Sequence, residues 1–108
     1  MRKIVTYGGY FESFLETLSA AVVKKIDYGL VLLKTMERVP TKFVKHIEDG
    51  IYELRTEWEG NIYRVFFVFD GNCIVVLFNG FQKKSQKTPR SEIEKAKRIK
   101  EEYYGTQK

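Results

Sequence analysis

The chain has 108 residues, 44% hydrophobic and 31% charged, with a formal charge of +5. That length fits a single domain over residues 1–108 with one modest core, and that composition excludes a disordered polymer. A lone cysteine, Cys73, excludes a disulfide framework, and neither a membrane-spanning run nor a signal-peptide pattern is present, so a cytoplasmic location is expected.

Lys3–Tyr7 reads as a short edge strand stopped by Gly8-Gly9. From Tyr10 to Arg38 apolar residues recur at three- and four-residue spacing: Tyr10, Phe11, Phe14, Leu15 and Leu18, then Val22, Val23, Ile26, Leu30, Leu33 and Met36. Ser19 is a candidate cap between a short helix and a longer one, and Gly29 is a weak point in the second. The two predict a helical hairpin packed on a sheet. Val39–Gly50, broken by Pro40, is expected to be a connecting loop carrying the one histidine, His46.

Ile51–Phe81 organises the chain. Its three strand-like runs are IYELRTEWE, IYRVFFVF and CIVVLFNGF, and the last two have the apolar density of strands covered on both faces. Gly60-Asn61 and Asp70-Gly71 are expected as the hairpin turns of an antiparallel meander. A two-residue turn at Gly60-Asn61 would pair Glu57 with Arg64 and Arg55 with Phe66. Tyr52, Leu54, Trp58, Tyr63, Val65, Phe67 and Phe69 would then share the core face, joined by Cys73, Val75, Leu77, Asn79 and Phe81. Arg64 interrupts an apolar run, and the plain structural reading is a cross-strand pair with Glu57.

After Phe81 comes QKKSQKTPR, then a final helix to about Tyr104. Thr88-Pro89, or Ser91 with Glu94, would start it, and its apolar stripe is Ile93, Ala96, Ile99 and Tyr103. Residues 1–81 carry ten basic and ten acidic side chains, whereas residues 82–108 carry nine and four. The whole excess of positive charge therefore lies in the C-terminal segment, which suggests a polyanion partner. In the expected register Lys83, Lys84 and Lys87 leave the sheet near Arg64, with Arg55 a diagonal neighbour. Three lysines and two arginines on one face suit phosphate, and fixed cations stabilise charge in phosphoryl chemistry. No hydrolase triad or zinc-ligand spacing accompanies His46, so no metal or cofactor is expected.

Three segments carry a family likeness: Tyr52-Glu53-Leu54-Arg55, Tyr63-Arg64-Val65-Phe66, and Phe81-Gln82-Lys83-Lys84-Ser85-Gln86-Lys87-Thr88-Pro89 followed by Ile93-Glu94-Lys95-Ala96. In that order and spacing, over residues 43–104, they resemble the RelE/HigB toxin superfamily, in its phage-derived HigB-like branch. The resemblance implies a RelE-like α+β fold: a helical hairpin on a small antiparallel sheet, a short N-terminal strand and a C-terminal helix. It implies a toxin that cleaves messenger RNA, commonly on the ribosome, by attack of the 2′-hydroxyl on the adjacent phosphate, with no metal required. By position, Arg64 would stabilise the phosphorane and Arg55 orient the phosphate. Lys84 would join them as a catalytic cation, with Lys83, Lys87, His46 and Phe81 at the RNA. A small helix-turn-helix antitoxin is the implied partner. The alternative is a non-cutting protein of the same fold, either a gyrase inhibitor of the ParE type or an interaction module.

Overall fold

Two positive-φ pairs set the centre of the sheet. Asp49-Gly50 (φ 54° and 72°) and Glu59-Gly60 (φ 49° and 79°) each form the two-residue link of a hairpin. Both conformations suit right-twisted antiparallel strands, and an Asp-Gly or Xaa-Gly dipeptide provides them at low strain. The computed structural model describes residues 1–83 and 88–106. Among these, strands β1 (Lys3–Thr6), β2 (Val44–Glu48), β3 (Ile51–Trp58), β4 (Asn61–Asp70) and β5 (Ile74–Lys83) form one sheet in the order β1-β5-β4-β3-β2. All neighbours are antiparallel except β1, which lies parallel to β5 with Lys3 opposite Ile74.

Helices α1 (Tyr10–Glu16) and α2 (Ala20–Thr35) cover one face, and α3 (Arg90–Gly105) covers the other. This is the α+β architecture expected from the sequence. Ser19 caps α2 as its spacing predicts, its hydroxyl accepting from the Val22 N–H at 3.3 Å. Gly29 is buried, and a Cβ there would sit 3.3 Å from Leu54. Its missing side chain lets α2 approach β3. In α3 the stripe Ile93, Ala96, Ile99 and Tyr103 is buried throughout. That helix begins one residue after Pro89, so Ser91 and Glu94 lie inside it rather than forming a capping box.

Four expectations are corrected. Val39–Gly50 is not all loop: Val44–Glu48 forms β2 against β3. A register shift between His46 and Glu48 breaks its two-residue period, which hid the strand. The β3–β4 turn lies at Glu59-Gly60, one residue earlier than expected, so Glu57 faces Ile62 and Arg55 faces Arg64. This slide keeps every side chain on its expected face but exchanges all cross-strand partners. The next link is longer, since Asp70 pairs with Ile74 across Gly71, Asn72 and Cys73.

The fourth correction concerns β5. Between the pairs Val65–Gly80 and Phe67–Leu77, Phe66 is opposed by both Phe78 and Asn79. This bulge reverses the alternation, so Phe81 joins the α3-side core instead of the hairpin side. Gly80 then faces α1, where a Cβ would overlap the Phe14 ring. Gly80→Ala is expected to displace Phe14 and cost about 1–3 kcal/mol in urea denaturation. An unchanged midpoint would show that α1 does not rest on this site.

Glu48 ties β2 to α3. Arg90 donates to its two oxygens at 2.6 and 3.0 Å, and Lys97 lies 2.5 Å away. The Arg90 hydrogen bonds, followed by that of Lys97, hold the carboxyl down at about 2, against 4.5 ordinarily. Because the folded value is depressed, this tether stabilises the fold fully above pH about 4.5 and is lost as pH falls toward 2. The urea midpoint of Glu48→Gln is expected below that of the native chain at neutral pH, with the gap closing through that window. A gap independent of pH would rule out the tether.

Candidate polyanion-binding site

The α3 face of the sheet changes character along the strands. Near Asp70 it is closed by α3, where the Tyr103 hydroxyl donates to Asp70 Oδ2 at 2.5 Å. At the helix's other end, Asn79 Nδ2 donates to Glu92 Oε1 and to the Glu92 carbonyl, at 3.1 and 3.4 Å. The Phe66 and Phe81 rings, 5.3 Å between centroids, end the apolar core there. Beyond them the face is ionic.

Strand alternation builds this ionic patch. Glu53, Arg55 and Glu57 project from β3 on the side of Ile51, and Arg64 projects from β4 in line with Phe66 and Val68. Lys45 lies opposite Glu53 on β2, and Lys83 lies opposite Ile62 at the end of β5. Arg55 and Arg64 face each other directly. Like charges in that position repel unless each has a counter-ion. Arg64 Nη1 donates to Glu53 Oε1, with both residues buried, 7% and 2% exposed. Arg55 Nη2 donates to Glu57 Oε2 at 3.1 Å, with its side chain 30% exposed.

The patch is unbalanced. Four cations, Lys45, Arg55, Arg64 and Lys83, are gathered around two carboxylates. Burial pushes the Glu53 carboxyl above its ordinary range, while Arg64, Lys83 and Lys45 pull the other way. Burial pushes the Lys83 ammonium down, and repulsion from Arg64, Lys45 and Arg55 adds to that, against the attraction of Glu53. Glu53 Oε2 and Arg64 Nε are buried without a hydrogen-bond partner among the described residues. An entering anion would relieve the repulsion among the cations.

The structure brings Arg55, Arg64 and Lys83 together, as the sequence suggested. Arg64, however, is buried and pairs with Glu53 instead of Glu57, a consequence of the shifted turn. His46 does not join them: it sits opposite Tyr52, ring centroids 5.0 Å apart, on the face of the helical hairpin. Phe81 is 8% exposed and belongs to the core, so its ring is not free to stack on a base. Lys84 and Lys87 lie outside the described residues. Two members of the patch, Lys45 and Glu53, went unassigned in the sequence. The Asp49-Gly50 hairpin dipeptide was a signal for β2, but a plain two-residue turn there would set Lys45 across from Leu54, and only the register shift between His46 and Glu48 brings it to Glu53.

No helix among the described residues is long and apolar enough to cross a membrane. No curated protein matches the chain significantly. The profile of the Gp49-like phage-derived proteins matches residues 13–101, which include the end of α1, all of α2, the four antiparallel strands and most of α3. The chain therefore belongs to the Gp49-like family of phage-derived proteins.

Proposed function

We propose that the protein is a toxin-type endoribonuclease that cleaves messenger RNA, acting on ribosome-bound message. The observation that carries this reading is the facing pair Arg55–Arg64 flanked by Lys45 and Lys83, four cations at the end of the sheet that α3 leaves uncovered. Membership of the Gp49-like family is compatible with a toxin role.

In the reaction the RNA 2′-oxygen bonds to the adjacent phosphorus, its proton passes to a base, and the P–O5′ bond breaks. The products are a 2′,3′-cyclic phosphate and a 5′-hydroxyl. Arg55, the more exposed of the two arginines, holds a phosphate oxygen, and Arg64, fixed by Glu53, adds charge beneath it as the phosphorane forms. Lys83, its pKa lowered by burial, is suited to give a proton to the leaving 5′-oxygen. Lys84, next along the chain, is assigned as a further catalytic cation and Lys87 to the RNA backbone. The partner proposed is a small helix-turn-helix antitoxin that neutralises the activity.

Burial of the Arg64–Glu53 pair favours a second reading, in which Arg64 is structural and the remaining cations hold an acidic partner without chemistry. Primer extension on a translated reporter message separates the two. Cuts that depend on the native protein and vanish with Arg55→Ala support cleavage; a folded native protein that makes none favours the binding module.

A further inference from the structure

A second depression adjoins the cationic patch around the edge of β3. Pairing with β2 ends where Val44 faces Leu54, and the Arg55 N–H reaches the Phe43 carbonyl at 2.7 Å. Among the described residues, Thr56–Trp58 then have β4 on one side and no strand on the other. Between this free edge, α2 and the turn before β2 lies a groove of about 290 Å³, lined in part by Lys25, Tyr28, Lys42, Phe43, Arg55 and Glu57. That volume is at the lower limit for small-ligand pockets and suits one planar base.

We infer that the groove is a nucleobase subsite for the nucleotide next to the phosphate held at Arg55. The inference rests on the RNA reading above and adds where the neighbouring base goes. Tyr28 is 56% exposed on α2, an aromatic surface beside lysines, which is the combination that stacks single-stranded bases. The ammonium groups of Lys25 and Lys42 lie 5.7 and 5.6 Å from the rings of Trp58 and Phe43. These cation–π contacts hold positive charge at the walls, where a phosphodiester backbone passes. Glu57 supplies an acceptor for a base amino group, and it is already bonded to Arg55.

Arg55 is the link. It lines the groove and also stands opposite Arg64, so a phosphate on its guanidinium places the attached nucleotide at the groove's mouth. Addition of a protein strand to the free edge fits less well, because only three residues of edge are open and the walls are cationic.

Fluorescence anisotropy with labelled RNA tetramers tests this. The tetramers carry 2′-O-methyl sugars to block cleavage, and a matched set has one base removed at each position in turn. Tyr28→Ala is expected to weaken the intact tetramer about fivefold to a hundredfold. It should leave unchanged the tetramer that lacks the base bound in the groove. Lys83→Ala should weaken the whole set by one common factor. Equal effects of Tyr28→Ala on intact and abasic tetramers, or no effect, would overturn the subsite while leaving RNA binding in place. Failure of the native protein to bind any tetramer would overturn the RNA reading and the subsite together. Tyr28 is exposed, and circular dichroism of the variant confirms its fold.

Discussion

Arg64→Ala is expected to destabilise the protein by about 3–5 kcal/mol, because it strands the Glu53 carboxylate in a nearly dry site. Half of a buried ion pair costs more than the pair itself, since desolvation remains after the attraction has gone. Replacing both partners with apolar groups of similar size, as in Glu53→Leu with Arg64→Met, should restore most of the loss. The burial of Ile51, Phe66 and Phe81 on the same face makes the site able to accept such a pair. Urea denaturation of the single and double variants checks this. Equal midpoints for Arg64→Ala and the native chain would mean that the pair is solvated. The consequence for function is direct: loss of activity in Arg64→Ala alone reports on folding as much as on chemistry, so the double variant is the cleaner test of Arg64.

Arg55→Ala isolates the chemistry. The Arg55 side chain is 30% exposed and its partner Glu57 is 57% exposed, so breaking that ion pair should change stability by less than about 1 kcal/mol. If Arg55 holds the phosphate oxygen through the transition state, its removal should slow cleavage about 10²- to 10³-fold, as loss of one preorganised charge donor commonly does. Arg55→Lys should recover little, because an ammonium lacks the planar fork that grips two phosphate oxygens. Single-turnover cleavage rates of the three proteins measure this. A rate unchanged in Arg55→Ala would remove Arg55 from the catalytic machinery.

How much of this was legible in the sequence varied with the local physics. The hairpin helices, the Ser19 cap and the α3 stripe were plain, since their 3.6-residue periods continue over several turns. The dense apolar runs of β4 and β5 marked central strands, and both faces of each are indeed covered. Register was harder. Gly60-Asn61 is a good hairpin dipeptide, yet Glu59-Gly60 is the pair that takes positive φ, and one residue decided whether Arg64 met Glu57 or Glu53. Side-chain parity survived that error but not the β5 bulge, which no local residue pattern announced and which moved Phe81 into the α3-side core. In β2 a register shift at five residues' length erased the alternation, and with it the position of Lys45.

The candidate site was thus visible as a set of charges before it was visible as a geometry. Arg55, Arg64 and Lys83 stood out because cations are costly inside or beside apolar strands. Glu53 did not, because a carboxylate in an alternating strand looks like an ordinary solvent-facing residue until its partner is known. Arg64 likewise is buried opposite Phe81 of β5, a neighbour distant in sequence.

The most direct measurement is primer extension on a reporter message in a reconstituted translation system, with native protein, Arg55→Ala and the Glu53→Leu/Arg64→Met double variant. The account predicts cuts at ribosome-occupied codons with the native protein and loss of those cuts in both folded variants. Cleavage that persists in both variants, or no cleavage by a well-folded native protein with or without ribosomes, would contradict it.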